Sequence, residues 1–335
     1  MHRGRLNMVQ LVYHRMFFST GLLALKRKMR PRNTITVLAY HTLESPRFLR
    51  NVLGIHSSES DFNAQINYIA SHHTVLSMSE LLSILSFRMS APENAVVITF
   101  DDGYADVYNI AYPRMKALGL PGTVFLTTEA VTCQRSIWTN RLYGFIEAAA
   151  NRKVTIEFDG RKPLTVDLTD SHSRMIGALA VCGMLKTMSP EERLTALHAV
   201  ARALGVDPQF DPIEQLPMLS WDQVAILHRE GFTIGSHSVT HPILSMCSEE
   251  RQWMELSESK QEIETRLNAP CRVLAYPNGQ PGDISDATRA IAKECGYEAG
   301  FRFTAGPVRS GIDPFDTPRH PVFEVPLASF AVALA

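Results

Sequence analysis

Ala95-Val96-Val97-Ile98-Thr99-Phe100-Asp101-Asp102-Gly103-Tyr104 is the stretch on which the reading of this chain turns. Its first six residues form a near-continuous apolar run with no polar alternation, the pattern of a strand buried on both faces of a parallel sheet. Polar residues begin abruptly at Asp101. In parallel βα architectures the chemistry gathers at the carboxyl ends of strands. Two adjacent carboxylates there repel one another unless positive charge lies beside them, and Gly103 lets the backbone turn sharply. An ordinary Asp-Asp-Gly turn reads the same in isolation, so its meaning depends on the rest of the chain.

Outward from this strand, strand-like and helix-like segments alternate. Residues 34–40 (TITVLAY) and 122–127 (GTVFLT) read as strands, as do 74–76, 232–235, 272–276 and 297–301. Helical spacing predicts helices over 61–73, with Asp61 as N-cap, and over 106–118. Further helices are expected from a capping box at Ser77–Glu80, and over 220–230, 248–267 and 284–295. Repeated βα units imply a parallel sheet, open or closed into a barrel. The alternation breaks at about 131–217. There Val154, Ile156 and Phe158, then Leu164, Val166 and Leu168, alternate around Asp159-Gly160, a hairpin signature. A helix follows from Ser189-Pro190-Glu191-Glu192 to Gly205.

The 335 residues are 45% hydrophobic and 20% charged, enough for a sizeable core. A net charge of -1 offers no global field for nucleic acid, and no nucleic-acid partner is expected. Five widely spaced cysteines without a CxxC pair argue against a disulfide framework and for buried thiols in a reducing compartment. Residues 1–33 carry eight Lys or Arg and no Asp or Glu. Within them, 16–25 is too short to span a bilayer and lacks a clear cleavage site. It reads as a short helix packed on the main domain, or as a basic amphipathic segment resting on an anionic membrane. A cytoplasmic location, with peripheral contact to the inner membrane surface through the N-terminus, is the expectation.

Two more polar clusters follow strands. His237 and His241, in Gly235-Ser-His-Ser-Val-Thr-His-Pro242, are four apart and would meet on one face of a helical turn to chelate a metal. Tyr276-Pro277-Asn278-Gly279 forms a rigid turn that presents a backbone N–H. Two His and one carboxylate make the ligand set of a hydrolytic zinc site with an open position for water, and the other carboxylate is then free to take a proton from that water.

TFDDGY at 99–104, HSVTH at 237–241 and AYPNG at 275–279, in that order, resemble the motifs of the polysaccharide deacetylase family (NodB-homology domain, carbohydrate esterase family 4) over about residues 34–325. The resemblance implies an α/β fold, a distorted (β/α)7-type barrel with a glycan groove. Here the barrel would span 34–330, with the inserted hairpin-plus-helix segment at about 131–217 and a basic helical extension over 1–33. Matched motif by motif, Asp101 is the implied general base, and Asp102, His237 and His241 the ligands of a divalent ion. Zinc is the first expectation, with cobalt or another first-row ion as alternatives. Tyr104 closes the first motif. Tyr276, Pro277 and Asn278 form the third, whose backbone N–H near Asn278 would help hold an oxyanion. In the family the acid that protonates the leaving amine is a His of a late Leu-x-His motif. The late segment here, Asp316-Thr-Pro-Arg-His320-Pro, makes His320 the candidate, oriented by Asp313 or Asp316. His41 at the end of the first strand competes with it. The family's fourth-motif Trp is absent. Ala275 stands where many members place an Arg that pairs with the base, and Arg319 or Arg272 would replace it.

The expected activity is therefore metal-dependent removal of N-acetyl groups from an amino-sugar-containing polysaccharide or a lipid-linked sugar. O-acetyl ester hydrolysis, deformylation of an amino sugar and non-catalytic glycan binding are the alternatives. Trp138, Arg141 and Tyr143 of the insertion would line a sugar subsite, or Trp138 would anchor the insertion to the barrel.

Overall fold

The computed structural model describes residues 22–29, 33–44, 56–150 and 152–335. In chain order its elements begin with α1 (Leu22–Met29), β1 (Ile35–Tyr40), α2 (Glu59–His72), β2 (Thr74–Val75), α3 (Met78–Leu85) and β3 (Ala95–Phe100). A π-turn (Val107–Ala111) runs into α4 (Tyr112–Ala117), followed by β4 (Thr123–Leu126) and α5 (Thr128–Cys133). The inserted region holds α6 (Trp138–Ala148), β5 (Lys153–Ile156), β6 (Leu164–Asp167), α7 (Ser171–Leu185) and α8 (Pro190–Leu204). The chain then resumes with α9 (Trp221–Arg229), β7 (Thr233–Ser236), α10 (Glu249–Leu267), β8 (Val273–Ala275), α11 (Asp286–Glu294), β9 (Ala299–Phe301), β10 (His320–Pro321) and α12 (Leu327–Leu334).

Strands β10-β1-β3-β4-β7-β8-β9 lie side by side with β2 attached to β3, and every pair is parallel. The result is a curled parallel half-barrel. Its two edges are spanned by one segment: Phe301 bridges Thr317, and His320 and Pro321 pair with Leu38 and Ala39.

Side chains alternate across a strand, and the apolar residues sort accordingly. Val37, Val97, Phe125, Val273, Ala275 and Phe301 share one cluster inside the curl, where α3 packs against them. Leu38, Tyr40, Ile98, Phe100, Val124, Ile234 and Leu274 face the surrounding helices. This alternation fixes the register. A one-residue slip of β3 would carry Asp101 to the helix side and Phe100 into the cleft.

Local chemistry sets the helix ends. The α2 helix starts earlier than Asp61: Ser58 is the N-cap, its Oγ accepting from Asp61 N–H at 3.1 Å. The expected helix over 106–118 opens with the π-turn. Pro113, in the first turn of α4 directly after it, would crowd the carbonyl of Asn109 in a regular α register. Ser77 and Ser189 form the expected capping boxes, and Gly205 ends α8 at φ +75°.

The inserted region is richer than a hairpin plus one helix. The β5–β6 hairpin is present in antiparallel register, but α6 and α7 accompany α8. Together they bury a separate apolar cluster that includes Leu142, Phe145, Ile156, Leu168, Val181, Leu197 and Val200. Each such side chain contributes roughly 1.5–3 kcal/mol when fully buried.

The 16–25 stretch enters the described residues only at Leu22. From there α1 packs on the body: Leu23 is buried, Lys26 donates to the Val332 carbonyl at 2.7 Å and Arg27 to the Tyr68 hydroxyl at 3.4 Å. Leu22, Leu25 and Met29 are exposed. Among the described residues no helix is long and apolar enough to cross a membrane.

Candidate metal centre and acid-base site

The period of β3 places Thr99 and Asp101 on the inner face, and the chain then turns. Asp102 has φ +71° and Gly103 φ +91°. A side chain at Gly103 would press on Leu126 Cδ2 at 3.0 Å in a conformation that already disfavours one. The turn aims both carboxylates into the cleft, and each is nearly fully buried.

Asp102, His237 and His241 converge. Asp102 Oδ1 lies 3.4 Å from Nε2 of each histidine, and the two rings are 4.9 Å apart. One ligand atom from each of the three falls within 4.8 Å of the others. Asp102 Oδ1 is buried without a hydrogen-bond partner. Such an atom costs about 1–3 kcal/mol unless something satisfies it. His237 donates Nδ1–H to the Ala275 carbonyl at 2.7 Å, which turns the lone pair of Nε2 toward Asp102. Burial drives His241 down to about 3 against the pull of Asp102, so this ring also offers a lone pair. Burial lowers the His237 pKa, but Asp102, Asp101 and the Ala275 carbonyl raise it on balance. A divalent ion would displace that proton, and two imidazoles and a carboxylate around an unsatisfied oxygen fit an ion of the zinc type.

The histidines do not share a helical turn, as their spacing suggests. Residues 237–241 form a bend with Ser238 at φ +67° and His241 at φ +57°. Glu255 of α10 holds it, accepting from the Val239 and Thr240 amides at 2.9 and 2.8 Å and from Thr240 Oγ1 at 2.6 Å.

Asp101 sits outside this triad and belongs to Arg319. The guanidinium is fully buried and donates to both carboxylate oxygens, at 2.6 and 2.7 Å. It also donates to Thr99 Oγ1 at 3.1 Å and to the Arg302 carbonyl at 3.2 Å, and lies 5.2 Å from the Phe125 ring centroid. Burial works to raise the Asp101 pKa, but Arg319, joined by His237 and His41, outweighs it and lowers the pKa on balance. Arg319 is thus a partner of Asp101, the candidate base, enclosed away from any substrate. Arg272, the other candidate for that role, pairs with Glu298 near the surface.

Of the two candidate acids, His41 faces the site. Its Nε2 is 3.8 Å from Asp101 Oδ2, its ring stands edge-on to Phe303, and its buried Nδ1 has no partner. Burial lowers its pKa against the opposing charges of Asp101 and Asp102. His320 follows Arg319 in the chain and pairs with Leu38, a residue of the outer cluster. Strand alternation therefore sends it to the helix side while Arg319 points inward.

The remaining candidates divide similarly. Tyr276 is buried on the outer side, donating from its hydroxyl to the Phe315 carbonyl at 3.0 Å. Pro277 and Asn278 form the turn beyond β8; Asn278 has φ +59°, and its N–H makes no backbone hydrogen bond among the described residues. The Tyr104 hydroxyl accepts from Asn140 at 3.0 Å. Trp138 is buried and donates its indole N–H to the His241 carbonyl at 2.9 Å, so it anchors the insertion instead of offering a face to a sugar. Arg141 is tied to the Pro208 carbonyl at 2.7 Å, and Tyr143 is enclosed in the insertion core. Asn140 and Arg193 carried no motif signal, because their contacts arise only when distant segments meet.

The family model described as polysaccharide deacetylase matches residues 88–300. A poly-beta-1,6-N-acetyl-D-glucosamine N-deacetylase of Staphylococcus aureus is 31% identical over 110 residues, covering 30% of this chain and 38% of that protein. The chain spans about a third of the length of the curated relatives it matches, 33% and 38% for two of them. Among solved structures, the Streptococcus pyogenes deacetylase PplD in complex with acetate superposes with a TM-score of 0.58 at 19% identity, covering 88% of this chain and 94% of that one. IcaB from Ammonifex degensii gives 0.57 at 19% identity, covering 90% and 96%. At these identities the superpositions establish the fold.

Proposed function

This chain belongs to the polysaccharide deacetylase family, and from that premise we propose that it hydrolyses N-acetyl groups on an amino-sugar-containing glycan or lipid-linked sugar. The observation that carries the reading is the buried Asp102–His237–His241 triad beside the Asp101–Arg319 pair. The similarity to a poly-N-acetylglucosamine N-deacetylase supports the substrate class.

Asp102 Oδ1 and the Nε2 atoms of His237 and His241 would hold the ion, with zinc first and cobalt as the alternative. When bound, such an ion lowers the pKa of water to about 7 and polarises a carbonyl. Asp101, kept ionised by Arg319, takes the proton from the attacking water. The Asn278 N–H donates to the oxygen on which negative charge develops. The proton that Asp101 has taken from the water passes to His41, whose Nε2 lies 3.8 Å from Asp101 Oδ2, and from there to the leaving amine. Arg319 offsets the missing third-motif Arg at Ala275, which favours catalysis over glycan binding alone. A peripheral membrane contact through residues 1–33, on the cytoplasmic face, remains part of the proposal for lipid-linked substrates.

The test is a substrate panel of N-acetyl, O-acetyl and N-formyl sugars supplied to zinc-loaded protein. Release confined to the N-acetyl members supports the reading; release from the O-acetyl or N-formyl members alone contradicts it.

A further inference from the structure

The two histidines of the triad are held in unlike ways. His237 is anchored through its ring by the Ala275 carbonyl. The His241 ring has no such anchor: its buried Nδ1 is without a hydrogen-bond partner. Metal-binding histidines commonly use that nitrogen to fix their orientation. His241 also occupies the left-handed region at φ +57°, which a non-glycine residue keeps only where its surroundings impose it. The imposing contacts are on its backbone. Its N–H donates to Ser238 Oγ at 3.1 Å, and its carbonyl accepts from Trp138 Nε1 at 2.9 Å.

Trp138 comes from the first turn of α6, in the insertion, and reaches His241 across 103 positions. It is itself braced. The Arg193 guanidinium of α8 lies 4.7 Å from its ring centroid. Arg193 is only 4% exposed, and its buried Nη1 has no acceptor. Its guanidinium lies over the indole in a setting where cation–π attraction reaches about 2 kcal/mol. Two residues further along α6, Asn140 holds the Tyr104 hydroxyl, two positions from Asp102. One turn of an inserted helix thus grips both segments that carry the triad.

We propose that Trp138 is a positioning residue for His241, braced by Arg193, so that the inserted helices complete the metal centre as well as flanking it. The proposal rests on the metal reading of the triad. It assigns the insertion a role in metal affinity that is independent of which glycan is bound.

The experiment measures Zn2+ affinity by competition with a chromophoric chelator, and the visible spectrum of the Co2+ form, on the full chain. Wild type, Trp138→Phe, Arg193→Met and His241→Ala are compared, with circular dichroism to verify folding. Trp138→Phe keeps an aromatic ring against Arg193 but loses the indole N–H together with the pyrrole half of the ring. The expected result is one equivalent of zinc in wild type, binding weakened roughly 10- to 100-fold in Trp138→Phe, an altered cobalt spectrum, and a smaller loss in Arg193→Met. A folded Trp138→Phe with wild-type affinity and spectrum overturns the proposal while leaving the metal reading intact. Should Trp138→Phe not fold, Arg193→Met decides, and wild-type affinity there overturns it equally. Failure of wild type to bind zinc more tightly than His241→Ala sinks the metal reading itself, and the proposal with it.

Discussion

Arg319, fully buried, holds the nearly buried Asp101 through both carboxylate oxygens across 218 positions of sequence. Removing one partner of a buried pair leaves an uncompensated charge, a loss of about 3–5 kcal/mol. Arg319→Met is expected to lose stability on that scale. In a double-mutant cycle by urea denaturation, Asp101→Asn/Arg319→Met should lose less than the sum of the two single variants. Additive losses would mean the pair is not coupled. Because Arg319 depresses the Asp101 pKa, the stability from this pair is present above the ordinary carboxylate range and fades as pH falls toward the lower, folded value.

Asp106 has the opposite sign. Burial pushes it up to about 6, although Thr42 Oγ1 and the Leu43 and Glu44 amides all donate to its Oδ2. A carboxyl with a raised folded pKa stabilises below its unfolded value, near 4, and that contribution is lost as pH rises through about 6. Asp106→Asn does not titrate, so its stability relative to wild type should improve by roughly 2–3 kcal/mol between pH 4 and 7. A pH-independent difference would contradict this.

The acid assignment separates two histidines. His41→Gln is expected to lower kcat for acetate release by roughly 10²–10⁴, as for loss of a general acid, with zinc affinity retained. His320→Gln should leave kcat within a few fold, because its side chain lies on the helix side of β10. The reverse pattern would return the role to His320.

Much of this site was legible in the sequence, for physical reasons. Strands buried on both faces announce themselves as apolar runs, so β3 and the placement of Asp101 and Asp102 at its end were readable. The separation of His237 and His241 marked them as candidate ligands, and they do converge on Asp102, although the backbone between them is a left-handed bend and not a helical turn. Strand parity is readable only once register is known, which is why the expected pairing of Arg319 with Asp101 holds while its neighbour His320 turns to the helix side when β10 pairs with β1. The α6 helix escaped notice because its N-cap, Ile137, makes no side-chain cap hydrogen bond and buried residues surround it on several sides. In α7, Gly177 and Gly183 weaken the helical signal, while Gly177 lets the helix sit against Val166 at a distance of 3.2 Å for an added Cβ.

Metal removal offers an independent handle. A ligand at 100 times its Kd stabilises by about 2.7 kcal/mol, so a chelator should lower the melting temperature of wild type. The same chelator should leave Asp102→Ala, which lacks the shared oxygen of the triad, nearly unchanged. An equal shift in both proteins would place the ion elsewhere.

The most direct test measures acetate released from short N-acetylglucosamine oligomers by zinc-loaded wild type and Asp101→Asn, with the metal content of each determined on the same samples. The account predicts release by wild type, none by Asp101→Asn, and one equivalent of zinc in both, since Asp101 is held by Arg319 outside the triad. Undiminished release by Asp101→Asn, or a wild type that turns over substrate without bound metal, would contradict it.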